Sequence, residues 1–448
     1  MRRTTNAQYT QQSATIQQLL HETAAEHGTM SGFVQRRSKM SAEAFVQTLV
    51  LGLLAGGEAT LNDLVQISAH LGVTISEPGL HGRINEAAVV LLEAMLASSL
   101  KHQFGGGEVP AEVAQGFTSI DILDSTQVKL PKTLEEHFAG HNSAGTEAML
   151  KIHLSMDYLS GRLNAVRFVA GRTPDQQCDM AVQMAKPGSL QMFDMGYAVL
   201  TLLREIAARQ AYFLTPLKTQ IHVYERPDAT KPLELGAWLD AHATGDGYVE
   251  AWVFIGADQR LPVRLVARRL SKAQAEKRRR RSKKNARKKG RTVSPRHLSL
   301  LDWAIVVTNV PAERLSSHAV MTLYRVRWQI ELFFKLCKSQ FRLARLGHWR
   351  LPRVLCYLYA RLIGIVLFQN MLVPWRFHAG RELSPPKAFR IVRRRALALL
   401  LAVASRGAEL AALLAEIQDD FLRFALKTPR KKSPSTFMRL LQLDGARP

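Results

Sequence analysis

Four polar side chains stand at fixed spacings in Tyr324–Lys338, YRVRWQIELFFKLCK: a phenol, a guanidinium, a carboxylate and an ammonium, in the order Tyr-x2-Arg-x3-Glu-x6-Lys. At about 100° per residue, Tyr324, Arg327, Glu331 and Lys338 fall within roughly 60° of one another on a helix. Leu323, Val326, Ile330, Phe333, Phe334 and Cys337 take a broad neighbouring face, so the periodicity predicts an amphipathic helix with its apolar side buried. An ordinary surface helix with i, i+4 ion pairs accounts for the charges alone. Two cations flank the single carboxylate Glu331, however, so the face is net positive and suits an anion. Two further carboxylates, Asp124 and Asp194, close the apolar runs IDILD (120–124) and SLQMFD (189–194). Strand ends are where open α/β sheets place their chemistry; a turn or cap role is the ordinary alternative. Asp121, Asp157, Asp175 and Asp179 compete with them, at a strand start, a hairpin and a helix, where structural roles suffice.

The elements that must position these residues follow from hydrophobic period. Residues 1–40 are polar and predict a mobile or loosely helical arm. From Ser41 the spacing is helical, through AEAFVQTLVLGLLAG, TLNDLVQISAHLG and EPGLHGRINEAAVVLLEAMLASSL, with breaks at Gly56-Gly57 and Gly72. The last of these opens with Gly79, His81 and Arg83, which suits a helix-turn-helix reader of DNA; a plain helical bundle fits the same spacing. After the linker FGGGEVP (104–110) the period becomes two. AMLKIHLSMDYLSG and RLNAVRFVAG alternate and meet at Ser160-Gly161 as a hairpin. DQQCDMAVQMAK (175–186) predicts a helix, SLQMFD a strand, YAVLTLLREIAARQA a helix and YFLTPLK (212–218) a strand. With IDILD, that is the element order of a ribonuclease-H-like α/β core.

Residues 219–300 interrupt this core, with HVYER, YVEAWVFIGA and LPVRLVARRL as further strands, before the strand WAIVVTNV (303–310). Within the interruption, Arg268–His297 carries fifteen Lys or Arg against one acid, Glu276. Such runs are usually disordered when free and suit a sequence-independent grip on phosphates; nuclear import is the other common reading. CYLYARLIGIVLFQNML and ALALLLAVA predict buried helices, and PRKKSPS (429–435) is another exposed basic run.

The Tyr-Arg-Glu-Lys line resembles the signature of bacterial insertion-sequence transposases of the cut-and-paste DDE type. LDST around Asp124 and FDMGY around Asp194 resemble that family's first and second catalytic aspartates, and the likeness runs from about residue 120 to 350 outside the basic stretch. The resemblance implies that Asp124, Asp194 and Glu331 hold metal as a catalytic triad, and that Tyr324, Arg327 and Lys338 handle DNA phosphate near the element's end. It implies that Trp303, twenty-one residues before Tyr324, stacks on a base flipped from the terminal duplex; a core tryptophan on a strand is the competing reading. Lys218 matches a DNA-contacting lysine after the fifth strand. Pro216 and Met195 stand where the family usually has basic residues, which puts particular DNA contacts in question but not the triad.

The implied organisation is a helical amino-terminal domain over residues 1–103 that binds element ends, and a catalytic core over 111–218 and 301–380. A β-rich insertion with the basic segment, 219–300, interrupts the core, and carboxy-terminal helices over 381–448 are a candidate for dimerisation. Three carboxylates brought together would repel. Two Mg²⁺ ions about 3.5–4 Å apart, with Mn²⁺ as substitute, would relieve this and serve an in-line displacement at phosphorus, and Mg²⁺ favours oxygen ligands. The implied activity is cutting at terminal inverted repeats, through a hairpin by family analogy, and joining to target DNA, by a homodimer on double-stranded DNA. A nuclease of the same fold, or a non-catalytic DNA-binding relic, are the alternatives; a relic usually lacks a metal carboxylate, and here all three are present.

Composition agrees in outline. A net charge of +24 and a pI near 10.3 call for a polyanion, nucleic acid or an anionic membrane surface. With 47% hydrophobic residues the chain can bury a core and is not of the disordered class. Cys178, Cys337 and Cys356 are isolated, without CxxC or zinc spacing, which suits a reduced interior. The polar start is unlike a signal peptide, and the apolar segment Val354–Val373 is broken by Arg361 and Gln369, so it predicts a buried helix, not a membrane span. The expected setting is the bacterial cytoplasm, at the nucleoid, with no membrane partner.

Overall fold

Stretches of period two become strands and stretches of period 3.6 become helices, giving a mixed α/β architecture with a large sheet and many helices. The computed structural model describes residues 2–36, 38–56, 58–106, 109, 111–141, 147–288, 290–346, 350–378, 381–428 and 434–443. Its principal strands are β1 (Ile120–Lys129), β2 (Met149–Asp157), β3 (Leu163–Ala170), β4 (Leu190–Phe193), β5 (Tyr212–Pro216), β6 (Val223–Tyr224), β7 (Tyr248–Ile255), β8 (Leu261–Arg269) and β9 (Trp303–Thr308). The chain sorts into two units, one of Met1–Val109, Ser125–Thr173 and Glu331–Pro429, the other of Pro110–Asp124, Pro174–Ile330 and Arg430–Pro448.

The first unit is built around the helix Leu351–Leu372, which packs on the helices Ala42–Gly56 and Glu86–Lys101. That helix is long and apolar enough to cross a bilayer, yet most of it is buried in the fold. Two of its buried polar residues are tied to neighbouring backbone. Asn370 Nδ2 donates to the His102 carbonyl (3.2 Å) while its Oδ1 accepts from Phe104 N–H (3.1 Å). Arg361 Nη1 donates to the Arg345 carbonyl at 2.8 Å, and burial lowers its pKa to about 10.

Of the mobile or loosely helical arm expected over residues 1–40, residues 2–30 are helical and packed against the fold. They form a helix, Arg2–Gln18, that continues through a π turn at Leu19–Thr23 into Ala24–Met30. Tyr9, Ile16, Leu19, Leu20 and Ala24 are buried, and Gln12 Nε2 donates to the Asn370 carbonyl. The apolar residues here are sparse but line one side, and one side is all that burial needs. In the same unit β2 and β3 pair antiparallel as expected, from Leu150↔Ala170 to Met156↔Leu163. Gly161 takes φ +73° in the turn, which glycine adopts without steric cost. The Asp157 carboxylate accepts from the Leu159 and Ser160 N–H groups at 3.0 Å each, a turn role as read from the sequence.

In the second unit the strand order is β1-β4-β5-β9-β8-β7-β6. The pairs β1–β4 and β4–β5 are parallel; β5–β9, β9–β8, β8–β7 and β7–β6 are antiparallel. The helix expected over 175–186 is cut to a 3-10 turn, Asp175–Gln177, and a short helix, Met180–Met184, because the buried Cys178 between them is extended (φ −87°, ψ 111°). The basic run is also more ordered than its charge predicts. Lys272–Lys288 is a helix, held by the buried Ala275, by Arg278 Nη1 donating to the Trp303 carbonyl (2.9 Å), and by an Arg279–Asp302 ion pair.

Candidate active site

The parallel ladder between β1 and β4 runs from Ile120↔Leu190 to Leu123↔Phe193, so Asp124 and Asp194 each follow the last paired residue of their strands. Neighbouring strands lie about 4.8 Å apart, which sets two carboxylates side by side at the end of the ladder. Asp124 is not the last residue of its strand, as the short apolar run implied: β1 continues to Lys129, and its final five residues, Ser125–Lys129, belong to the first unit. Asp121, the nearest competitor, is buried and accepts from Ser119 Oγ and Gln191 Nε2 at 2.7 Å each, a structural role.

Arg327 and Tyr324 reach this end of the sheet from the other side of the sequence. Arg327 Nη1 lies 3.1 Å from Asp124 Oδ2, both side chains largely buried. Tyr324 is pushed up to about 12, chiefly by burial, with the Asp194 and Asp124 charges adding to the rise and Arg327 opposing it. The phenol therefore stays protonated and within electrostatic reach of both aspartates. Lys218, two residues past β5, is held below the ordinary lysine value by burial, with Asp194 pulling the other way. Asp124, Asp194, Lys218, Tyr324 and Arg327 thus share one neighbourhood within the second unit.

The helix expected to run unbroken through Tyr324–Lys338 is in fact two. Ser317–Tyr324 ends in a 3-10 turn, Arg325–Arg327, before Trp328–Ser339 begins. The tighter turn changes the angular spacing computed for an uninterrupted helix, while the apolar face holds: Leu323, Val326, Ile330, Phe333, Phe334 and Cys337 are all buried. Glu331 lies in the first turn of Trp328–Ser339, where a carboxylate suits the helix dipole, and Lys338 in its last. Burial lowers the Lys338 pKa. Both residues belong to the first unit.

Trp303 opens β9 and is only 2% exposed, with the Arg269 guanidinium 4.8 Å from its ring centre. Trp328, directly after Arg327, is 54% exposed, and Met195, directly after Asp194, is 45% exposed. Met195 was marked in the sequence only as a missing basic residue and Trp328 not at all, because only the fold shows which large apolar side chains lie uncovered. Asp175 was likewise read as structural. An ideal Cβ on Gly196 would stand 2.9 Å from Asp194 Oδ1 and 3.2 Å from Asp175 Oδ2, so two carboxylates close on a space that only glycine leaves open. Gly196 N–H donates to Asp194 Oδ1 at 2.8 Å.

Hard carboxylate oxygens are the donor type Mg²⁺ takes, and Mg²⁺ is held by one or two protein carboxylates together with water and substrate phosphate. The Asp124–Asp194 pair fits that requirement. Among the described residues, no group of three or more His, Cys, Asp or Glu is gathered around one point.

Two aspartates thus stand at the end of a parallel ladder, with the Arg327 guanidinium on Asp124 and the Tyr324 phenol within electrostatic reach of both. A family model described as the transposase DDE domain matches residues 115–367, more than half of the chain, and the chain belongs to this family. The transposase for insertion sequence element IS231E of Bacillus thuringiensis subsp. finitimus is 26% identical over 426 residues, covering 90% of this chain and 89% of that one. The transposase for insertion sequence element IS1151 of Clostridium perfringens is 22% identical over 441 residues, covering 93% of each. A piggyBac transposase in a synaptic complex with hairpin DNA superposes with a TM-score of 0.46 at 10% identity, over 94% of this chain and 87% of that one, too slight a likeness to carry weight.

Proposed function

We propose that this protein is a DNA transposase that cuts an insertion sequence from its donor at the terminal inverted repeats and joins it to target DNA. The observation that carries this reading is the grouping of Asp124, Asp194, Arg327, Tyr324 and Lys218 at the end of the β1–β4 ladder. Asp124 and Asp194, with Glu331 as third carboxylate, would hold two Mg²⁺ ions, with Mn²⁺ as substitute. When bound, these supply activation of the attacking oxygen and stabilisation of the leaving oxygen in phosphoryl transfer.

The chain's own residues bind and orient. Arg327 exchanges its carboxylate partner for a DNA phosphate and keeps its charge at any working pH. Tyr324, protonated throughout, donates to a phosphate oxygen. Lys218 and Lys338 neutralise flanking phosphates, and Trp303 stacks on a displaced base once its arginine cover moves. The core takes a ribonuclease-H-like arrangement over 111–218 and 301–380, interrupted by 219–300. Helices in 1–103 bind the element's ends, and those in 381–448 contribute to a dimer on DNA.

The test is cleavage of a labelled duplex bearing the element's end, with Mg²⁺ or Mn²⁺, by wild type and Glu331→Ala. Nicking at the boundary by wild type alone, with binding kept in the variant, supports the reading. Equal cleavage by both removes Glu331 from the triad, and tight binding without metal-dependent cutting favours a DNA-binding relic.

A further inference from the structure

The basic helix is followed by an ordered reversal of the chain. Gly290 takes φ +62°, Gly290 N–H donates to the Arg287 carbonyl and Arg291 N–H to the Ala286 carbonyl. This is a Schellman-type close, which reverses the chain against the helix it has just left. The returning segment then enters a short helix, Pro295–Leu300, whose Ser294 side chain accepts from His297 N–H. The His297 ring reaches back to Thr219, Nδ1 to Oγ1 3.3 Å.

Between these pieces lies a cleft of about 440 Å³, lined among others by Arg291, Arg296, His297, Thr219, Ser282 and Ser294. Among the described residues, no carboxylate lines it. Arg291 and Arg296 are exposed, and the pairs Arg279–Asp302 and Arg280–Glu276 account for neither of them. Hydroxyls and guanidinium groups converging without an acid are the donor set of a phosphate site. The cleft also lies on the aspartate side of the sheet: β5 runs parallel to β4, Thr215 Oγ1 donates to the Asp194 carbonyl at 3.5 Å, and Thr219, four residues on, lines the cleft.

We propose that this cleft seats a backbone phosphodiester of the DNA strand leaving the aspartate pair, and that the helix Lys272–Lys288 carries the strand onward. The inference rests on the transposase reading and adds the path of the strand. It assigns the basic segment a position on the DNA, next to the cut, where composition alone supports only a diffuse grip.

The test uses the full-length chain carrying Asp194→Asn, so that nothing is cut, and a duplex ending in the element's terminal repeat. Arg291→Gln with Arg296→Gln in that background is compared with its parent and with Arg209→Gln, an exposed arginine elsewhere. Thermal melting establishes that each variant is folded. The slope of log affinity against log salt should fall by about 0.9 for each arginine that neutralises a phosphate, and Arg291→Lys with Arg296→Lys should restore it. Single neutral methylphosphonates walked along each strand should reveal one or two adjacent positions, on one strand, that weaken the parent but not the glutamine variant. An unchanged slope with an unchanged methylphosphonate map overturns the proposal. So does binding of inorganic phosphate by the parent when the map is unchanged, since the cleft would then be an anion site only. Failure of the parent to bind end-bearing DNA at all would sink the transposase reading, and this inference with it.

Discussion

Arg264 offers the sharpest test of how the second unit holds its site. Its side chain is wholly buried on β8, with Nε 2.8 Å from Glu250 Oε1 and Nη1 donating to the carbonyls of Val310 (3.3 Å) and Leu315 (2.6 Å). Those carbonyls bracket the turn that leads from β9 into Ser317–Tyr324, the helix ending at Tyr324 and followed by Arg327. Arg264→Met keeps the volume and removes every donor. Breaking a fully buried pair costs about 3–5 kcal/mol, and each carbonyl left without a partner about 1–3 kcal/mol. Glu250 retains about a third of its surface in water and can rehydrate, so the expected loss sits near the lower end, about 3 kcal/mol. That is roughly a hundredfold in an opening equilibrium. Hydrogen exchange across residues 310–324 reads it directly, where the amides of the turn and helix should lose about that much protection. Arg264→Lys should not rescue, because one ammonium cannot span the carboxylate and both carbonyls. A change under about threefold in exchange, with cleavage intact, would falsify the view that Arg264 braces the site.

Glu250 adds a pH signature: burial raises its pKa, but bonds from Arg264 and Ser317 and the Arg264 charge bring it below the ordinary value. A depressed carboxyl contributes stability above its unfolded pKa and loses it as pH falls through the folded one, so the stability gap between wild type and Glu250→Gln should be widest near neutral pH and close in acid, as denaturant unfolding at a series of pH values would read. Gly196→Ala places a methyl 2.9 Å from Asp194 Oδ1, which can swing aside; melting should stay near wild type while metal-dependent cleavage falls, by more than the roughly 10–100-fold typical of losing an outer metal-site partner. Trp328→Ala removes an exposed ring and should weaken binding to end-bearing DNA by about 1–3 kcal/mol if bases stack there, whereas Trp303→Ala should weaken that binding and also, because its ring is buried, cost about 3–5 kcal/mol of stability; unchanged binding in Trp303→Ala would remove it from the DNA contacts. Lys218 carries a lowered pKa, so its charge on DNA is lost as pH rises toward the ordinary lysine range, and an alkaline decline in affinity should move to higher pH in Lys218→Arg.

Local pattern was enough for the parts of this fold that depend on near neighbours. The hairpin at Ser160-Gly161, the strands of 219–269 and the buried face from Leu323 to Cys337 follow from alternation, turn chemistry and helical period, each set within a few residues. Charge pattern was less informative about order. The run Lys272–Lys288 reads as solvated by composition, but Ala275 and the bonds of Arg278 and Arg279 to Trp303 and Asp302 anchor it, and those partners lie more than twenty residues away. The packing of residues 2–30, as against their helicity, was not legible for the same reason, since their few apolar side chains find their core in distant helices.

The sequence by itself determined the chemical inventory: three carboxylates in telling contexts, a phenol and three cations at spacings that mark a family, and a surplus of positive charge suited to a polyanion. Tertiary structure alone decided which of these meet. The β1–β4 register sets Asp124 beside Asp194, and the 3-10 turn at Arg325–Arg327 delivers Arg327 to Asp124 across 203 residues of chain. It also buried Trp303, left Trp328 and Met195 bare, and brought Asp175 to Gly196. Spacing along a chain constrains only what one element presents; strand register, burial and contact between distant elements are set by packing, which no single stretch contains.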